Sequence, residues 1–298
     1  GPESIKLILN AKYKIFYLVI AHIPTLYFDS LAWIILMKNK LSMKTAFIIT
    51  WISQTSGKFI PSGNITGEFV RFYLARRSGQ KFSEASSTVL MDLFIATFSL
   101  FIIGLAGLIF VVFSIKSNLI LNQFQYLILA FSLISLGTLF FLFLIRKRVI
   151  SKFLVSTKKF EFLNKKNIYN LLRLDISLNK LSHRKWRLFS AVVLRLIGWI
   201  AGAFEIYIFF WIIGVDAKVS DVLIIESVTA IIRSAAFFIP SAIGVQELAF
   251  VIVGELVGYS SIVSFSVAIG RRLREIMVGI PAIITWIFIF RKQSNHIN

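Results

Sequence analysis

Apolar runs long enough to cross a bilayer alternate along this chain with shorter apolar stretches that end at a proline. A helix needs about 20 apolar residues, at ~1.5 Å each, to cross a ~30 Å hydrocarbon core. Residues 13–37, 86–115, 119–145, 188–214 and 261–290 all exceed that length and predict five full crossings. The segment 45–60 differs: it stops at Pro61 and as a helix reaches only about 24 Å at ~1.5 Å per residue. The stretch that follows, 62–79, carries Asn64, Glu68, Arg71, Arg76 and Arg77, too many polar groups to face lipid throughout. Together the two segments predict a re-entrant helical hairpin. A second pair, 222–239 and 244–258, repeats the arrangement around Pro240 and Ser241. Non-helical backbone at that depth survives only when buried in protein or lining a wet cavity.

The two breaks share sequence as well as pattern. Phe59-Ile60-Pro61-Ser62 returns as Phe238-Ile239-Pro240-Ser241, and Glu68 returns as Glu247, both at an offset of 179 residues (61 to 240, 68 to 247). The match uses two of only five prolines and two of nine glutamates. At the same offset Asp92 falls on Arg271, so matching places carry opposite charge. The chain therefore reads as one membrane domain, 1–298, with a first repeat at 11–115 and a second at 188–294. Between them lie an unpaired span at 119–145 and a basic loop at 146–187. An unpaired span makes the number of crossings between equivalent points odd, which inverts one half relative to the other, an arrangement common in alternating-access transporters. The expected fold is an all-α polytopic membrane protein of two inverted repeats, each with a proline-broken re-entrant hairpin.

Composition agrees with a life in lipid. Hydrophobic residues make up 57% of the 298 and charged residues 16%, against roughly 25% charged in a soluble domain. No cleavable leader is expected, since the first apolar run is too long for one and reads as a retained anchor. The formal charge of +19 raises nucleic acid as a partner, but the basic residues cluster at the ends of apolar spans, as membrane topology requires, and no nucleic-acid partner is expected. The loop 146–187 holds thirteen Lys and Arg against Glu161 and Asp175, which places it and the C-terminal end in the cytoplasm. Re-entrant hairpins put Lys6, Lys12 and Lys14 outside, whereas a full crossing by 45–60 would put Lys38, Lys40 and Lys44 there. Segment length and symmetry favour the first arrangement. Within the loop, Ile150, Phe153, Leu154, Ile168, Leu171 and Leu172 sit at helical spacing among cations, as in interfacial helices that favour anionic lipid or in a solvated linker.

Ionisable residues inside apolar spans are costly, so each is a candidate for function until a structural partner explains it. Around the breaks these are Glu68, Arg71 and Asp92 in the first half, and Glu226, Arg233, Glu247, Arg271, Arg272, Arg274 and Glu275 in the second. Helical spacing puts Glu68 with Arg71, Glu226 with Arg233, and Arg271 with Glu275 on common faces. One expectation is structural ion pairing between halves, Glu68 with an arginine of the second half and Glu247 with Arg71. The other is a phosphate site: the free N–H groups of the short helices after Ser62 and Ser241 attract an anion. Arg71 and Arg271 or Arg272 would complete it by forked hydrogen bonds. Substrate contact is thus expected at Pro61, Ser62, Asn64, Pro240, Ser241 and Gln246 along with those charges. Asp29 and Glu205, inside crossings, could pair with each other or with Arg195, and Glu205 alone would suit a proton relay. Pro24 and Pro281 read as kinks, and Trp33, Trp51, Trp186 and Trp286 as interface anchors.

Several chemistries are excluded. The absence of cysteine removes disulfides, thiolate metal sites and cysteine nucleophiles. His22, His183 and His296 are scattered, so neither metal nor cofactor is expected. There is no P-loop, no paired-histidine zinc helix and no Gly-x-Ser-x-Gly elbow. The chain is not expected to be an enzyme.

At Ile239-Pro240-Ser241-Ala242-Ile243-Gly244-Val245-Gln246-Glu247, and again at Gly270-Arg271-Arg272-Leu273-Arg274-Glu275, the sequence resembles the lysylphosphatidylglycerol synthase transmembrane family, also called flippase-like. Gly67-Glu68-Phe69-Val70-Arg71 resembles that family's Gly-Glu-x-x-Arg signature, and the Gly-Val-Gln-Glu and Arg-Arg-x-Arg runs look most like its hopanoid-associated branch. The resemblance implies a multi-pass protein of the bacterial cytoplasmic membrane that moves a phospholipid, a hopanoid or a lipid-linked product between leaflets. A lipid-modifying enzyme is a further candidate partner, one that a scaffold role would require. Two-part relatives add a soluble aminoacyl-transferase domain; with the chain stopping at Asn298, lysine transfer is not expected of it. Ser62-Gly63-Asn64 departs from the commoner form of the first motif. The leading expectation is a lipid translocase. The alternatives are a scaffold that hands a lipid intermediate to a separate enzyme and an intramembrane headgroup-modifying enzyme.

Overall fold

A computed structural model describes residues 2–60, 65–114, 136–137, 139–156, 165–236 and 239–294, and the chain is all-helical among them. It opens with α1 (Pro2–Asn10), a 3₁₀ turn (Lys12–Phe16) and α2 (Tyr17–Leu36), which contains Pro24. Helix α3 (Met43–Phe59) starts at Ser42, whose hydroxyl accepts the Thr45 N–H at 3.2 Å, the cap expected of a serine there. It ends at Ile60, which is extended (φ −98°, ψ 126°) because a residue before proline is pushed out of the helical region. Helices α4 (Ile65–Arg77) and α5 (Phe82–Ser114) follow. Residues 139–146 are helical, then come α6 (Val149–Ser156), α7 (Lys165–Ser182), α8 (Lys185–Ile212) and α9 (Val219–Ala235). A 3₁₀ turn at Pro240–Ala242 leads to α10 (Val245–Leu256) and the long α11 (Ser261–Ser294), which contains Pro281.

Among the described residues, three helical stretches are long and apolar enough to cross a membrane: Lys12–Leu36, Phe82–Val111 and Lys185–Ile212. They agree with three of the five expected runs. The run 261–290 lies within the 34 residues of α11 but sets Arg271, Arg272, Arg274 and Glu275 in its path, so it is no plain apolar span. Most of the run 119–145 lies outside the described residues; residues 136–137 and 139–145 are helical.

Helix bounds recur at the offset of the repeated motif. Moved by 179, the ends of α4 at 65 and 77 land on 244 and 256, beside the α10 bounds Val245 and Leu256. The start of α5 at 82 lands on 261, the first residue of α11. Packing is crosswise: α3 lies against α11 and α9 against α5, while α2 and α8 run along one another. Side-chain-free positions allow this closeness. A Cβ at Gly107 of α5 would run into Ser227 of α9, and one at Gly270 of α11 into Phe209 of α8, the small-residue contacts that membrane helices use to approach.

The basic loop is folded onto this bundle. Leu174, Leu178 and Leu181 of α7 are buried with Met91 and Ile95 of α5 and with Leu36, while Phe153 is exposed. The docked face is therefore one step round from Ile168, Leu171 and Leu172, which are only partly buried. Asp175, buried, accepts the Ser151 N–H at 3.1 Å and so satisfies one of the free amides at the start of α6.

Candidate functional site

The first-half charges form a buried chain. Gly67 lets α4 press on α3, since a Cβ there would stand 2.6 Å from the Ser53 carbonyl oxygen and 3.2 Å from the Gly57 Cα. One turn on, Arg71 is buried; its Nε donates to Ser53 Oγ at 3.2 Å and its guanidinium lies over the Trp33 ring at 5.5 Å. Arg71 and Arg195 both bond Oδ2 of Asp92, which is 0% exposed. Arg195 reaches on to Asp29 at 2.8 Å, and Asp29 accepts from Gln54 Nε2 at 2.7 Å. Glu68 stands 3.5 Å from Arg71. Five helices, α2, α3, α4, α5 and α8, meet at three acids and two arginines.

The second-half charges surround the break. Between α9 and α10 the backbone leaves the helical region, with Ser241 (φ 52°), Ala242 (φ 48°) and Gly244 (φ 82°) all left-handed. Arg272 spans the break's two sides: Nε donates to Glu247 Oε1 at 2.6 Å, Nη1 to Glu275 Oε2 at 3.0 Å, and Nη2 to the Ser241 carbonyl at 2.9 Å. Arg271 forks onto Glu226 of α9, with Nη2 on Oε1 at 3.0 Å. Arg274 holds Glu205 of α8 at 2.6 Å, and the other Glu205 oxygen meets His22 Nδ1 at 3.0 Å. Lys58, at the end of α3, is 3.9 Å from Glu275, and its carbonyl accepts the Ser241 hydroxyl. The second break thus rests on the last turn before the first.

A cavity of about 320 Å³ opens at this junction, lined by Lys58, Trp199, Arg233, Gln246, Arg271, Arg272 and Glu275. A smaller one, about 140 Å³, shares Lys58, Trp199, Arg233 and Arg271 with it and continues past Glu205 and Glu226 to His22, Asp29, Gln54 and Arg195. The two cavities form one polar seam joining the charged clusters of both halves. On the outer side of α2 and α8 lies an apolar hollow of about 600 Å³ lined by Tyr17, Ile20, Pro24, Ile197, Phe204 and Trp211.

Arg233 stands apart from the other arginines of the seam. Among the described residues no carboxylate lies within ion-pair reach of it, and its one hydrogen bond is to Gln246 Oε1 at 3.3 Å. Around the break, the cations Lys58, Arg233, Arg271, Arg272 and Arg274 number five and the acids Glu205, Glu226, Glu247 and Glu275 four. One positive charge is left over.

Of the expected site residues, Pro61, Ser62 and Asn64 lie outside the described residues. Ser241, Arg233, Gln246, Arg271, Arg272 and Glu275 come together at the cavity. Glu68, Arg71 and Asp92 gather at the other cluster. Several expected pairings are corrected. Glu68 meets its own helix's Arg71 rather than a second-half arginine, and Glu247 meets Arg272 rather than Arg71. Glu226 takes Arg271 of another helix instead of Arg233, seven residues along its own, and Glu275 takes Lys58 across helices and Arg272 at i−3 instead of Arg271 at i−4. The expected forked hydrogen bonds from Arg71, Arg271 or Arg272 to a phosphate are likewise set aside, since carboxylates already take those guanidinium forks; of Arg271 the Nε is left without a partner. The start of α10 is occupied too: Glu247 accepts the Gly244 N–H at 2.7 Å, a glutamate at the third helical position closing back on the cap. Glu205 is clamped rather than isolated, which removes the ground for a proton relay, and Asp29, not Glu205, takes Arg195. Trp33 is fully buried, whereas Trp186 is 82% exposed. Lys58, His22, Gln54 and Trp199 were missed; for Lys58 and His22 the signal was present, as each is an ionisable group in a short or apolar segment.

A family model described as the lysylphosphatidylglycerol synthase TM region matches residues 3–282. No curated protein and no solved structure matches the chain.

Proposed function

The chain belongs to the lysylphosphatidylglycerol synthase TM-region family, and on that premise we propose that it is a lipid translocase of the bacterial cytoplasmic membrane, without catalysis of its own. The observation that carries the reading is the polar seam at the second break, where a cavity of about 320 Å³ opens among Lys58, Arg233, Arg271 and Arg272. A lipid headgroup cannot enter hydrocarbon without losing its water, at a cost of several kcal/mol for each uncompensated polar group. A seam of fixed charges replaces that water while the tails stay in the bilayer. The apolar hollow along α2 and α8 offers such tails a surface on the same pair of helices that line the smaller polar cavity.

The two halves act in this reading as inverted repeats with re-entrant hairpins. Crosswise packing of α3 on α11 and α9 on α5 supports it, as does the equal depth of the charged pair. Asp92 and Arg271 each sit ten residues after the first residue of their helices, Phe82 and Ser261, or about 15 Å at ~1.5 Å per residue. Alternating access then amounts to rocking of one repeat against the other around the seam. The basic loop faces the cytoplasm and meets anionic lipid there.

The test is leaflet exchange. Purified protein in liposomes should speed the flip of a labelled phospholipid or hopanoid well above protein-free vesicles, and Ser234→Trp, which fills the cavity from an exposed small residue on its wall, should slow it with the melting temperature kept. Exchange no faster than in empty vesicles would overturn the reading, and lipid binding without exchange would turn it into that of a scaffold.

A further inference from the structure

The cavity at the second break is lined by donors that lack acceptors. Arg233, half-buried on the cavity wall, has no carboxylate partner among the described residues, although a charge drawn away from water is ordinarily paired. Gln246, 1% exposed, spends its oxygen on Arg233 and leaves its Nε2 amide without a partner. Arg271 spends two nitrogens on Glu226 and leaves its Nε without a partner. All three residues line the same cavity. Glu275, the one acid on its wall, is held by Arg272 and Lys58. A site with one spare positive charge and two spare N–H donors calls for a ligand that only accepts hydrogen bonds and carries negative charge.

We infer that this cavity binds the anionic phosphate of a net-negative ligand, with Arg233 as its guanidinium and Gln246 Nε2 and Arg271 Nε as the donors beside it. Phosphate oxygens fit the forked geometry of a guanidinium and its strong charge-assisted bonds. A volume of about 320 Å³ lies at the low end of the ~300–1,000 Å³ usual for small-molecule sites, room for a headgroup rather than a whole lipid. The inference rests on the cavity being the headgroup's path, and it deepens that reading by naming the class: a phospholipid whose phosphate is not offset by an ammonium of its own. The same chemistry would serve free phosphate. Arg233 is thus a ligand-holding residue, not part of the scaffold of ion pairs.

Removing Arg233 distinguishes these roles by sign. A charge without a partner costs folding free energy, so Arg233→Gln should leave the melting temperature of the ligand-free protein unchanged or raise it, whereas Arg272→Gln, which strips Glu247 and Glu275, should lower it. In micelles, dihexanoyl-phosphatidylglycerol should raise the melting temperature of the full chain and dihexanoyl-phosphatidylcholine should not. Arg233→Gln should weaken that binding tenfold or more, Arg233→Lys should restore part of it, and Gln246→Leu should weaken it less. Inorganic phosphate matching the effect of the lipid would assign the site to the free anion. Equal shifts from both lipids, wild-type binding by Arg233→Gln, or a loss of stability in that variant as large as in Arg272→Gln, would overturn the inference. Binding with no leaflet exchange would leave the phosphate site standing and remove the translocase; exchange indifferent to headgroup charge and to Arg233 would do the reverse.

Discussion

The two charged clusters follow one plan and end in opposite states. Each has a proline, a glutamate seven residues later, and an ionised side chain ten residues into the next long helix. In the first half that side chain is Asp92, which collects Arg71 and Arg195 and closes a compact knot with three acids for two arginines. In the second it is Arg271, and the tally turns to five cations for four acids around an open cavity. The unpartnered atoms differ as well: the first cluster leaves the acceptors Asp92 Oδ1 and Glu68 Oε2 beside one donor, Arg195 Nε, while on the cavity wall Gln246 Nε2 and Arg271 Nε are both donors. Reversing one charge at equivalent places lets one copy serve as a clamp and the other keep a cation in reserve. The sign of the charge at these two matching places is the sharpest difference between the clusters.

The most damaging test of this contrast is Arg195→Gln. It leaves Asp29 without its arginine and Asp92 with one instead of two, and breaking a buried pair costs about 3–5 kcal/mol. The matching change at Arg272, whose side chain is 18% exposed, should cost less, about 1–3 kcal/mol; thermal or denaturant unfolding in micelles that reversed this order would erase the distinction between clamp and site. Gly67→Val comes next. The Ser53 carbonyl that a Cβ would meet is backbone and has little room to yield, so overpacking should cost roughly 1–3 kcal/mol and lift Arg71 off Ser53. Unfolding measurements that left stability unchanged would mean that α3 and α4 are not held as closely as the clamp requires. The smallest effect belongs to Glu247→Gln. An amide keeps an acceptor for the Gly244 N–H but loses the charge on Arg272, a change of about 0.3–1 kcal/mol at a partly exposed helix start.

How much of this could be read from residues alone varies with range. The broken helices were legible because proline, serine and glutamate recur against an apolar background, and Met43–Phe59, Ile65–Arg77, Val219–Ala235 and Val245–Leu256 fall close to the expected segments. The pairings were not. Spacing along one helix suggests Glu226 with Arg233, but Arg271, 45 residues away, is the partner, and no local periodicity encodes which helices pack together. Lys58 and His22 are ionisable groups in short or apolar segments, but their partners are as illegible as the other pairings: only the approach of α11 to α3 and of α8 to α2 gives them company. The expected phosphate forks fail for the same reason: Arg71, Arg271 and Arg272, the arginines that look most like a site in sequence, are those that carboxylates claim.

The hydroxyl of Ser241 on the Lys58 carbonyl has a mechanical corollary. That carbonyl belongs to the last turn of α3, where no amide further along the helix can take it. Prising the two elbows apart would bare it, and inside hydrocarbon an unmet carbonyl costs several kcal/mol. Any parting of Ser241 from the last turn of α3 therefore needs water to follow and take its place on that carbonyl.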